Sequence, residues 1–131
     1  MSTTKTRLSK VGTVCVPVSD TDRAIAFYVD TLGFEKRVDV PFGGQYRWVE
    51  VYPPEGGTGI ALAPPAPGSD HVEPAQTGIT LTTTDIDATH AAFKQLGIDV
   101  DAEVSRMGAP VPPLFWFRDP DNNSLMIVEV S

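Results

Sequence analysis

Residues 14–34 read VCVPVSDTDRAIAFYVDTLGF, and residues 79–98 read ITLTTTDIDATHAAFKQLGI. Each stretch is an apolar, β-branched run, then Asp-x-Asp, then a short amphipathic helical pattern closed by Leu-Gly and an apolar residue. Asp20 answers to Asp85 and Leu32-Gly33 to Leu96-Gly97, an offset of about 65 residues, half of the 131-residue chain. Self-similarity at this spacing identifies a tandem duplication of one module.

Working outward, Val11–Val18 has the composition of a strand. Ser19 or Asp20 suits the cap of the following helix, and Asp22 suits its positive end. Ile25, Tyr28 and Leu32 make one stripe of that helix, and Gly33 follows as a left-handed terminator. Phe34–Pro41, Gln45–Tyr52 and Thr58–Ala63 read as strands, separated by Gly43-Gly44 and by Pro53-Pro54-Glu55-Gly56-Gly57. The second module repeats the order: strand Thr77–Thr83, helix Asp85–Leu96, then strands Ile98–Ser105, Leu114–Arg118 and Leu125–Val130. Asp119-Pro120-Asp121-Asn122-Asn123 makes a strong turn before the last strand, with Pro at its second position and Asn tolerating positive φ. The segment PPAPGSDHVEPAQ at 64–76 holds four prolines without periodicity and reads as an extended linker. The expectation is a single α+β domain over residues 1–131. Modules 11–63 and 77–131, each β-α-β-β-β, form curved mixed sheets with a helix on one face and the concave face left open. An open sheet face must be filled by ligand, partner chain or large side chains.

Composition narrows the function classes. Ten Lys and Arg stand against 17 Asp and Glu, a net charge of −7. The basic residues are scattered, which argues against a nucleic-acid partner, since phosphate needs clustered cations. No apolar run approaches membrane-spanning length, and MSTTKTRLSK lacks the apolar segment of a secretory signal. The single cysteine, Cys15, forms no intrachain disulfide, and the expected location is the cytoplasm.

The duplicated module, AIAFYVDTLGF at 24–34 and RDPDNNSLMIVEV at 118–130 together resemble the vicinal oxygen chelate superfamily, the glyoxalase, bleomycin-resistance and dioxygenase-like proteins. The resemblance covers nearly the whole chain and implies the fold more specifically than any one activity. It also implies a divalent metal held by His or Gln on the first strand of each module and Glu on the last. Those positions fall here at Thr13, Ala61, Gly78 and Met126. Thr is a weak neutral donor, Gly and Ala offer none, and Met is a soft ligand. The reading is therefore a member with degenerate metal positions, no metal and no cofactor. Cys15 shares the face of Thr13, and Glu50 and Glu129 lie on strands, but no replacement ligand set is legible. Small members of the family often build their sites across a subunit interface, so a homodimer is expected.

The favoured function is metal-independent binding of a small apolar or aromatic molecule in the concave cavity, as in bleomycin-resistance proteins. Tyr46, Trp48, Trp116, Met126 and Arg106 are the candidate ligand contacts: aromatic planes, an adaptable thioether and one cationic anchor. Each has a competing structural role. The aromatics could be core or dimer contacts, Met126 a space filler, and Arg106 a solvated surface residue. Phe115 and Phe117 share one strand face, with Trp116 opposite. His71 and His90 read as solvent-exposed and Cys15 as a buried thiol; no catalytic residue is assigned. Two alternatives remain. A metal-dependent glyoxalase-like lyase or dioxygenase would recruit Glu50 or Glu129, and a degenerate structural or regulatory module would have no pocket. Tyr46, Arg47 and Glu50 are the cluster to test for metal-free catalysis.

Overall fold

Two four-stranded sheets carry the same topology. The computed structural model describes residues 4–41, 43–44, 46–65 and 72–131, so Phe42 and His71 lie outside the described residues. In the first sheet β1 (Thr13–Pro17) runs parallel to β4 (Gly59–Ala63), with β3 (Arg47–Tyr52) and β2 (Glu35–Pro41) antiparallel beyond it. In the second, β5 (Gln76–Thr83) runs parallel to β8 (Ser124–Glu129), followed by β7 (Leu114–Arg118) and β6 (Asp99–Val100). The duplication in sequence is thus a duplication in strand order, β1-β4-β3-β2 and β5-β8-β7-β6.

The helix signals act locally. Asp20 accepts from Arg23 N at the start of α1 (Thr21–Ile25), and Asp85 accepts from Ala88 N at the start of α2 (Ile86–Gln95). Gly33 and Gly97 take φ of 84° and 74°, the left-handed exits that glycine adopts without penalty. Two elements depart from expectation. The first helix is one α-turn followed by a π-helical segment, Ala26–Thr31, which closes with Leu32 N donating to Phe27 O at 2.9 Å. The strand expected over Ile98–Ser105 is paired only at Asp99–Val100, with a bridge from Ser105 to Leu114. Asp101 interrupts it, because its side chain takes the N–H of Trp116 at 3.1 Å.

Alternation sorts each sheet into two faces. Val16, Val49, Val51, Ile60 and Leu62 of the first sheet are buried, as are Phe115, Phe117, Leu125 and Ile127 of the second. These faces and the helices make one common core. Phe27 meets Phe117 at 6.4 Å between ring centroids, and Phe93 meets Phe115 and Phe117 edge-on at 5.6 and 5.0 Å. Burying such side chains is worth roughly 1.5–3 kcal/mol each. Because both sheets turn one face into the same core, their other faces look outward.

The Asp119–Asn123 turn ties the modules together. Asn122 adopts φ of 64°, as Asn tolerates, and its N–H returns to Asp119 O at 2.9 Å. Asn123, fully buried, donates to Pro17 O at 2.7 Å and accepts from Ala75 N at 2.9 Å. Asp121 takes the Ser19 N–H and pairs with Arg23. Among the described residues no helix is long and apolar enough to cross a membrane.

Candidate functional site

The outward face of the first sheet carries a built array. On β3, Trp48, Glu50 and Tyr52 alternate with the buried Val49 and Val51 and so project together, each half-buried. The Trp48 indole donates to Glu50 Oε2 at 2.7 Å and the Tyr52 hydroxyl to Oε1 at 2.6 Å. One carboxylate therefore fixes two aromatic rings, one on each side of it. The Tyr52 bond, then the Trp48 bond, hold the Glu50 carboxyl below its ordinary range, and the same contact raises the Tyr52 phenol. The β4 partner of Tyr52 is glycine for a reason: a Cβ on Gly59 would fall 2.6 Å from the Tyr52 ring. Ala61 and Cys15 continue the row from Glu50 across β4 and β1. The Arg37 guanidinium lies 4.7 Å over the Tyr52 ring while its Nε binds Glu35.

The outward face of the second sheet places Thr80, Met126 and Trp116 in one register row. Met126 and Trp116 are half-buried there, opposite in parity to Phe115 and Phe117. Asp101 holds the edge, receiving Trp116 N and, with Asp99, the Arg118 guanidinium.

Of the five residues expected at the ligand, the fold brings Trp48 onto one outward face, with Tyr46 just before the same strand, and Trp116 with Met126 onto the other. Arg106 stands apart, bound through Nη2 to both carboxylate oxygens of Asp87 on α2, each at 2.7 Å. Two other expectations are corrected. Cys15 is exposed rather than buried, because its parity on β1 opposes Val16 and sends it to the outward face. His90 is half-buried rather than solvated: Nε2 meets Asp101 O at 2.8 Å and the ring stacks edge-on against Phe115. Glu50 and Tyr52 were not among the expected contacts. The alternation Trp-Val-Glu-Val-Tyr at 48–52 carries the signal, since the two valines mark the inward parity.

The positions of the family's metal ligands do not fit a divalent ion. Gly78 sits at φ of 73° in a register break of β5 between Gln76 and Thr80, a bulge that an imidazole-bearing residue would strain. Ala61 has no donor atom, Thr13 is a neutral hydroxyl, and Met126 is a thioether. Of the carboxylates that could substitute, Glu129 caps α2 by accepting from Ile86 N at 3.0 Å, and Glu50 has no set of metal-ligating side chains gathered beside it among the described residues. Among the described residues no group of three or more His, Cys, Asp and Glu side chains is gathered as a metal site.

A groove of about 560 Å³ opens where the modules meet, walled mainly by aliphatic, Thr and Phe side chains such as Val14, Ile60, Ile79, Leu81 and Phe93. None of the five expected ligand contacts lines it. Among the described residues Glu55 is its only charged wall residue, so it offers volume but few groups to orient a ligand. The outward faces offer less enclosure but fixed aromatic planes.

A duplicated β-α-β-β-β chain with strand orders β1-β4-β3-β2 and β5-β8-β7-β6 defines the architecture of a vicinal oxygen chelate protein. The model of the Glyoxalase/Bleomycin resistance protein/Dioxygenase superfamily matches residues 10–127, and the chain belongs to that family. Among solved structures, a superfamily member from Sphaerobacter thermophilus is 34% identical, with a TM-score of 0.84 over 94% of this chain and 98% of its own. TnmS3, an antibiotic binding protein from Streptomyces sp. CB03234, is 32% identical, with a TM-score of 0.78 over 97% of this chain and 100% of its own. The uncharacterized protein YurT of Bacillus subtilis (strain 168) is 30% identical over 92% of this chain and 98% of its length. The family affiliation supports small-molecule binding at the level of the superfamily.

Proposed function

We propose that the protein binds a small, largely apolar aromatic molecule without a metal, using the outward sheet faces as the walls of its site. The observation that carries this is the Trp48–Glu50–Tyr52 array, in which both rings are fixed by hydrogen bonds before any ligand arrives. Pre-ordered aromatic planes give contact area at low entropic cost, which favours stacking of a flat ligand. Trp116 and Met126 supply the second wall, aromatic and adaptable. The 32% likeness to an antibiotic binding protein supports small-molecule binding as such.

The two faces look away from the common core of one chain, and each would supply one wall to a ligand held between them. A homodimer that sets the first sheet of one protomer against the second sheet of its partner would enclose it. Titration with Nile red, a neutral planar aromatic dye, tests the reading. Binding to the wild type should weaken at least about tenfold in W48A and in W116A, the scale expected for loss of an anchoring aromatic. It should survive Ile79→Trp, which fills the groove between the modules. Dye binding lost in Ile79→Trp and kept in both tryptophan variants would place the site in the groove instead.

A further inference from the structure

Glu50 differs from the other carboxylates on the strands. Glu35 pairs with Arg37, Asp39 with Lys36 and Arg47, and Asp99 with Arg118. Glu129 is spent on the N-terminus of α2. Glu50 has no Lys or Arg partner among the described residues; its two bonds come from neutral donors. A carboxylate offers about four acceptor positions, and these bonds use one on each oxygen. The remaining lone pairs belong to an anion placed half-buried on a face where every neighbour along the strand is aromatic or apolar.

A half-desolvated anion without a counter-ion is costly in a binding face unless its ligand supplies the counter-charge. The flanking rings strengthen the case. Indole and phenol faces attract cations through their quadrupole, and Tyr52 already holds the Arg37 guanidinium 4.7 Å from its ring centroid, with that arginine's Nε directed to Glu35. The edge N–H of Trp48 and the O–H of Tyr52 both point to Glu50, so two ring edges converge on one negative centre, while the Tyr52 ring itself is occupied by Arg37 and by packing over Gly59.

We infer that Glu50 selects a cationic ligand: the site takes a planar aromatic compound bearing a protonated nitrogen, with the Trp48 ring against its plane and the nitrogen at Glu50. This rests on the binding reading above and names its ligand class. Overall charge is a rival source of any preference, because a net −7 attracts cations without a site. The test must therefore separate one carboxylate from the whole surface.

Naphthylmethylamine, protonated at neutral pH, and naphthylmethanol are matched in ring and reach. Each is titrated into ¹⁵N-labelled protein while the Trp48 indole N–H resonance is followed, and both titrations are repeated in E50Q, where Gln keeps an acceptor but loses the charge. The amine should bind about tenfold more tightly than the alcohol, and E50Q should bring the two probes to within about twofold of each other, the ratio being read rather than either affinity alone. Equal binding of both probes at Trp48 would overturn the inference and leave aromatic binding intact. A preference that persists in E50Q would overturn it in favour of surface charge. If neither probe moves the Trp48 resonance at millimolar concentration, the binding reading itself falls and the inference with it.

Discussion

The phenol of Tyr28, in the π-helical segment of the first module, donates to Asp119 in the last turn of the second at 2.8 Å, across 91 positions of sequence. Tyr28 is fully buried and Asp119 nearly so. Burial, then the Asp119 charge, push the phenol far above its ordinary range, so it is a donor to Asp119 at neutral pH. Asp119 also accepts from the N–H groups of Asp121 and Asn123 and from Asn123 Nδ2. The Asp-Pro-Asp-x-Asn motif is thus the joint between the modules as well as a turn.

Removing that donor should loosen the joint. Y28F is expected to cost roughly 1.5–3 kcal/mol, the range for a hydrogen bond to a charged group, with the cavity contribution small because the ring stays. Urea unfolding should show a lower midpoint at unchanged slope. A midpoint equal to that of the wild type would mean water replaces the phenol without loss.

Asn123→Ala should be worse, at about 2–4 kcal/mol, since it leaves Pro17 O and Ala75 N without their partner in a buried place. Asn123→Asp should not rescue it, because a carboxylate cannot donate to Pro17 O and would face Asp119. The same unfolding experiment reads both variants.

G59A probes the array without touching it directly. The new Cβ would meet the Tyr52 ring at 2.6 Å and displace the hydroxyl from Glu50. The stability loss should lie within the roughly 1–3 kcal/mol typical of overpacking. The Tyr52 phenol should titrate closer to its ordinary value, because its bond to Glu50 is the largest cause of its rise. An unchanged tyrosine titration would show that the ring moves without losing Glu50.

Acid should weaken the fold through depressed carboxylates. The bonds from Arg47, then Lys36, hold Asp39 well below its usual value, and Glu50 is lowered by Tyr52 and Trp48. A folded-state value below the unfolded one contributes stability that is complete above the unfolded pKa of about 4 and is lost as pH falls towards the folded value. The urea midpoint should therefore decline between neutral pH and about pH 3, and D39N should flatten part of that decline. An identical acid profile in D39N would remove Asp39 from the account.

Cys15, the chain's one cysteine, reports on the outward face. If a second protomer covers that face, thiol modification should slow as protein concentration rises through the dimer range, and an aromatic ligand should slow it further. A rate independent of concentration and ligand would leave the face uncovered and count against the proposed dimer.

Much of the architecture was legible from residue order because it depends on near neighbours. The two Asp-x-Asp starts, the Leu-Gly exits and the Asp119–Asn123 turn act within a few residues, so each element forms where its own chemistry directs. The unfitness of Thr13, Ala61, Gly78 and Met126 for a divalent ion was equally readable, since it follows from which atoms those side chains contain. Other properties arise only when separate strands meet. The direction in which each sheet face looks depends on how the modules share one core, and this sent Cys15 outward, drew His90 onto Phe115 and gave Arg106 to Asp87. The bulge at Gly78 and the joint from Tyr28 to Asp119 likewise come from register and packing between distant segments. The Trp48–Glu50–Tyr52 array stands between the two cases: period-two alternation aligns its residues, while the burial of Val49 and Val51 decides that they face outward rather than into the core.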